Sequence, residues 1–300
     1  MDQHLQVFVT VAEKKNFSRA AEELHMTQPA VSQYIRTFED NLGTRLLERT
    51  NKYVRLNKAG GIVYHHAKEI LGLYTNMQHL VDDLVNKANG PLLIGASYTF
   101  GEYILPRIIA KLLETYPEIQ PEVTIGNTSE IADLVSSHQL DVGIVEGHFK
   151  GQELSVEEFA EDYMVVVASA NNKLTQKEER VKIKDLEYET WIVRENGSGT
   201  REATEKMFRH FDFFPAKRMN FGSTQPIKEA VEAGLGVSLL SQWAIQKELR
   251  NGDLKQIQME ELPFSRQFSI VTKSLFQTKA LEVFIELLRH NKMLTTFNGH

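Results

Sequence analysis

Apolar residues in the first ninety positions recur at helical spacing. Leu5, Phe8, Val9 and Ala12 fall three and four apart, which predicts a helix with one buried face. Asn16-Phe17-Ser18 interrupts the pattern, and Ser18 is placed to cap a short second helix carrying Ala20, Ala21 and Leu24. After a turn at His25-Met26, Thr27 is read as the cap of a third helix. Pro29 falls in its first turn, where a missing N–H costs little and a fixed φ favours helix. Val31, Ile35 and Phe38 gather on one side of that helix, and Gln28, Ser32, Gln33 and Arg36 on the other. Gly43 can stop it. The run RLLERTNKYVRLN then alternates like two short strands about Thr50-Asn51.

The pattern changes twice more. Over 59–89, Val63, Ile70, Met77 and Leu84 recur every seven residues with Ala67, Tyr74 and Val81 between them. This heptad stripe suits pairing with a second copy or packing on the chain's own body, and the spacing leaves both open. Asn89-Gly90-Pro91 ends the helix. From 91 onwards apolar strands (PLLIGAS, EVTIGN, LDVGIVEG, YMVVVASA, ETWIVREN, KRMNFGS, LGVSLLS, RQFSIVTK) alternate with helical stretches at 102–116, 129–137, 200–211 and 226–233. Such alternation predicts an α/β fold class with mainly parallel sheets. The chain divides into 1–58, 59–89 and 90–300.

Two short helices joined by a tight turn, the second polar at its outer N-terminal face, describe a helix-turn-helix, with the hairpin as a wing. Gln28 and Gln33 carry amides able to pair with adenine edges, Ser32 lies beside them, and Pro29 or Ala30 can meet a thymine methyl. Arg36, Arg49 and Lys52 suit phosphates. Ser18, Arg19 and Thr27, at the helix starts, complete the candidate DNA-contact set. The bland alternative is a helical hairpin that binds protein.

Charge sharpens this reading. Residues 1–58 hold nine lysines and arginines against seven acids, a surplus of two, so with a net charge of -6 the remainder carries -8. A basic head on an acidic body fits phosphate contact at one end only. The chain has no cysteine, 42% hydrophobic and 25% charged residues, no signal-like start and no run of about 20 apolar residues. A cytoplasmic protein with no membrane partner is expected. No GxSxG occurs, NGSGTR lacks the GK[ST] of a phosphate loop, and adjacent His65-His66 diverge on a helix. An enzyme or carrier with an accessory head is the competing class. It would need a nucleophile or general base, and none stands out, nor does a metal or cofactor site.

The stretch FSRAAEELHMTQPAVSQYIRTFEDNLGTRLLERTNKYVRLNKAG resembles the N-terminal signature of LysR-type transcriptional regulators, with Ala20-Ala21, Leu24, 28–32, Ile35, Glu39, Leu42-Gly43, Leu46-Leu47, Arg49 and Ala59-Gly60 in register. It departs at Gln33, Tyr34, Leu47 and Asn57, where the family often has Arg, Gln, Phe and Thr. The resemblance implies a winged helix-turn-helix, a dimerising linker helix and a periplasmic-binding-protein-like domain of two α/β subdomains. These would be about 91–161 with a closing helix near 266–292, and about 162–265. It further implies binding of double-stranded DNA as a homodimer or homotetramer, and an activator would also meet RNA polymerase. Residues 195–201, ENGSGTR, are similar to regulators of sulfur assimilation or carbon fixation.

A cleft between two such subdomains would hold an effector. Four strand-to-helix junctions offer hydroxyls: Ser97 and Thr99; Thr128 and Ser129; Gly197, Ser198, Gly199, Thr200 and Arg201; Ser223 and Thr224. Serine and threonine at helix starts are commonly caps. Four such junctions offer donors and positive helix ends with few acceptors, which fits a small anionic metabolite. Arg201 can turn inward to a carboxylate or lie on the surface.

Overall fold

The computed structural model describes residues 2–49, 53–82, 88–147, 154–177, 179–260, 262–273 and 277–291. Thr50, Asn51, Lys52 and Leu84 therefore lie outside the described residues. The chain forms two compact units, Met1–Asp82 with Ser137–Gln139, and Asp83–Ser136 with Leu140–His300.

The first unit runs α1 (Asp2–Lys14), α2 (Phe17–Glu23), α3 (Gln28–Leu42), β1 (Leu47–Arg49), β2 (Val54–Leu56) and α4 (Lys58–Asp82). Asn16, and not Ser18, caps α2: its Oδ1 accepts from the amides of Ser18 at 2.9 Å and Arg19 at 3.1 Å. Ser18 sits inside the first turn, because an Asn two residues earlier already satisfies the free amides. Thr27 caps α3 through the Ala30 amide, Pro29 stands in the first turn, and Gly43 ends the helix with φ 67°. Phe8, Val11, Val31, Ile35 and Leu46 are fully buried, and Ala20 and Ala21 let the helices close on them. Each such large side chain contributes about 1.5–3 kcal/mol by leaving water.

The heptad stripe of α4 splits between the two roles that its spacing allows. Ala67 is buried and Val63 packs on the head core, with Tyr64 donating to Glu13 at 3.0 Å. Burial first, then Glu13, pushes the Tyr64 hydroxyl up to about 12. Further along, Ile70, Tyr74, Met77 and Val81 are exposed.

The second unit continues with β3 (Gly90–Ser97), α5 (Tyr98–Tyr103), α6 (Leu105–Thr115), β4 (Ile119–Gly126), α7 (Thr128–Ser136), β5 (Val142–Glu146) and β6 (Ser155–Ser169). Then come β7 (Thr190–Arg194), α8 (Gly199–His210), β8 (Lys217–Phe221), α9 (Thr224–Glu232), β9 (Ser238–Ser241), α10 (Gln242–Asn251), β10 (Leu254–Gln256), β11 (Phe264–Thr272) and α11 (Lys279–Arg289). The single helix expected at 102–116 is two, broken at Ile104. Pro106 follows the break and has no N–H to return to the preceding turn.

β3 lies parallel to β4 and β5, and β5 pairs antiparallel with β11. β11 runs antiparallel to β6 from Phe264 opposite Met164 to Thr272 opposite Ser155. The far half of β6 takes β9 and β10. β7 and β8 form a parallel pair, tied to the chain before β9 by the Ile192 amide on the Val237 carbonyl at 2.8 Å. β6 and β11 thus run through both halves of the unit. One half fills with Leu92, Ile94, Phe100, Leu105, Phe268 and Phe284, the other with Met164, Val166, Trp191, Met207 and Phe208.

Candidate DNA-binding head and effector cleft

In the head, Ser18, Arg19, Thr27, Gln28, Pro29, Gln33 and Arg36 are exposed, with Ala30 and Ser32 half-buried. The Gln28 amide donates to the Ser32 hydroxyl at 2.9 Å. That bond holds both side chains over the first turns of α3, where a helix entering a major groove meets base edges. Arg49 is placed differently from a free surface cation. Its guanidinium stacks on Phe17 at 4.7 Å and donates to Glu39 at 3.3 Å. Lys52, the other wing residue assigned to phosphates, lies outside the described residues.

In the second unit, the four hydroxyl junctions converge on charged side chains that periodicity had hidden. Arg266 and Asp162 are register partners on β11 and β6, and Arg266 Nε donates to Asp162 at 2.7 Å. Arg266 also donates to Thr99 at 3.0 Å and Thr200 at 3.1 Å, and lies 3.4 Å from Glu146. Ser97 donates to Glu146, Thr128 donates to the Glu146 carbonyl at 2.7 Å, and Ser241 donates to Asp162 at 2.5 Å. All these side chains are buried. Burial pushes both carboxyls above the usual range, and the Arg266 charge opposes the shift at each. Asp162 adds to the rise at Glu146.

This corrects the expectation of few acceptors: Glu146 and Asp162 are acceptors at the centre of the cluster. They sit at strand positions, where an isolated acid reads as solvated surface. A second buried guanidinium, Arg194, donates to Thr224 at 3.2 Å, grips Glu195 with two N–H groups and lies over Tyr98 at 4.4 Å. Arg201 stays on its own half, bonded to Glu205 and Asn220, both at 2.6 Å.

The loop at 195–199 crosses to the other half. The Ser129 amide donates to the Gly197 carbonyl at 3.2 Å. Gly199 admits no side chain, since a Cβ would run into the Glu146 carbonyl. Ser198 caps α8, and Ser129 and Ser223 are half-buried. A cavity of about 430 Å³ is lined by Val156, Glu158, Glu202, Lys206 and Phe264. Ser265, Gln267 and Ser269 of β11 also line it, and so do Gly199 and Arg266, so the cavity reaches the buried cluster.

Two family patterns cover nearly the whole chain. Residues 3–61 match the bacterial regulatory helix-turn-helix protein of the lysR family, and 86–292 match the LysR substrate binding domain. The HTH-type transcriptional regulator CysL of Bacillus subtilis is 37% identical over 96% of both chains. A probable RuBisCO transcriptional regulator of Trieres chinensis is 30% identical over 94% of both. These relatives agree with the likeness of 195–201 to sulfur-assimilation or carbon-fixation regulators. Full-length CbnR, solved with its target DNA, shares the fold with a TM-score of 0.73 at 20% identity, over 96% of this chain and 99% of that one. The relatives are regulators and not enzymes, and a DNA-binding head on an effector-binding domain makes this chain a member of the LysR family of transcriptional regulators.

Proposed function

We propose that the protein is a ligand-responsive activator that reads its DNA site with Gln28, Ser32 and Gln33 and holds a small anionic metabolite in the cleft of its second unit. The exposed polar start of α3, with Gln28 and Ser32 fixed by their mutual bond, carries the DNA reading. Arg19, Arg36 and Lys52 would lie against phosphates. Arg266 and Arg194, the starts of α7, α8 and α9, and the hydroxyls of Ser129 and Ser223 support the anion reading. Burial raises the carboxyls of both Glu146 and Asp162, which weakens their hold on the Arg266 charge and favours an added anion there. The exposed part of the α4 stripe would pair two copies, as a homodimer or homotetramer working in the cytoplasm, with RNA polymerase as the further partner.

Selection of bound fragments from genomic DNA yields a preferred site. Gln28→Ala is then expected to lose discrimination at one position, worth about 1–3 kcal/mol. Unchanged preference would refute base reading by Gln28. Calorimetry of the full chain against a panel of small carboxylates, sulfate, sulfite and phosphate esters is expected to find one that binds. Equal binding of that anion by a Ser129→Ala, Ser223→Ala double variant would remove those two hydroxyls from the site.

A further inference from the structure

The wing of the head is a hairpin of two three-residue strands, and a two-stranded hairpin alone is marginal in water. Something must hold it to the helices. Glu39, three residues before the end of α3, is 2% exposed. One carboxylate oxygen accepts from the Leu46 amide at 2.8 Å and the Leu47 amide at 3.2 Å. The other accepts from Arg45 at 3.2 Å and Arg49 at 3.3 Å. The Arg45 side chain is 73% exposed and remains open to solvent, whereas that of Arg49 is 34% exposed and also covers the Phe17 ring of α2. One buried carboxylate therefore links the recognition helix to the chain entering the wing, and through Arg49 to the helix before it.

We infer that Glu39 is the positioning residue of the wing, with Arg49 as its strut and not a free phosphate contact. This rests on the reading of the wing as part of the DNA-binding surface. A guanidinium that spends its N–H groups on a buried acid and its face on a ring is fixed in direction, and it fixes the strand it stands on.

The sign of one substitution separates this from simple charge attraction. Glu39→Gln removes a negative charge from a DNA-binding head, so attraction alone predicts tighter binding. Positioning predicts weaker binding, by about tenfold, because a neutral amide no longer gathers the two arginines. Arg49→Lys keeps the charge but loses the planar fork and the stacked face. It is expected to weaken binding comparably, where a plain phosphate contact would tolerate it. The double variant is expected to be no worse than either single one, the mark of residues acting through each other.

Affinity is measured for the full-length protein on its selected site and on scrambled duplex over a salt series. Circular dichroism and a melting curve check that each variant is folded, and Arg49→Lys decides the matter if Glu39→Gln does not fold. Tighter or unchanged binding by folded Glu39→Gln, a silent Arg49→Lys, or additive losses overturns the inference. Lys52→Ala is the control for the underlying reading: unchanged affinity and salt slope there would mean that the wing does not touch DNA, whatever Glu39 does.

Discussion

Burying Glu146 beside Asp162 and a single shared arginine has a consequence for stability. Its carboxyl is raised in the folded protein, by burial first, against Arg266 and with Asp162. A carboxyl raised on folding holds its proton more tightly in the native state, so it favours the fold below the ordinary carboxylate range of about 4.3 and loses that contribution as pH climbs through the native value. Gln at this position keeps the shape and never ionises. Glu146→Gln is therefore expected to melt higher than wild type at pH 8, with the gap closing towards pH 4. Parallel melting curves over that range check it, and a gap that does not depend on pH would show that Glu146 is not raised. The hydroxyls around it carry a related cost. Thr200 accepts from Arg266, so Thr200→Val deletes a potential ligand contact and also leaves a buried N–H without its acceptor, which costs about 1–3 kcal/mol. The variant is expected to lose melting temperature as well as anion affinity.

At the scale of elements, α4 shows how one stripe serves two ends. Ala67 and Val63 belong to the head core, whereas Ile70 and Met77 are each about half exposed. If the exposed stretch is a seam between copies, Met77→Glu places an ion in an apolar contact, where its lost hydration is costly. Sedimentation is expected to show smaller particles and weaker binding to DNA with two half-sites; unchanged sedimentation would sink the seam. The elements themselves were largely legible because apolar spacing is local: the three head helices, the hairpin and the eight expected strands all occur. α10 was not among the expected helices, although Ser241 at its start and Gly252 at its end are ordinary helix signals. The cleft was half legible. Its hydroxyls follow glycines and strand ends, which sequence displays. Its charges do not, because Arg266 meets Asp162 across 104 residues and Thr99 across 167. An arginine inside an apolar strand is a signal only once its partner is known.

On the scale of the whole molecule, regulation requires the ligand to prefer one state of the second unit. Its two halves share β6 and β11, and the Arg266–Asp162 pair stands where the strands pass from one to the other. A ligand that takes hydrogen bonds from Arg266 competes with Thr99, Thr200 and Asp162 for the same guanidinium. It therefore acts on contacts that hold both halves together. Whatever factor the bound anion applies to DNA affinity, DNA must apply to anion affinity, since the two are linked through one cycle. A coupling of about 1–3 kcal/mol, or 5–150-fold, is the ordinary range. Titrating the anion into the protein alone and into its complex with the selected DNA site is expected to give the same ratio as titrating DNA with and without the anion. Arg266→Lys keeps a charge for Asp162 but cannot reach Thr99 and Thr200 together, so it is expected to shrink both ratios alike and leave ligand-free DNA affinity unchanged. Should the variant bind the anion as wild type does and retain full coupling, the regulatory contact lies elsewhere in the cleft.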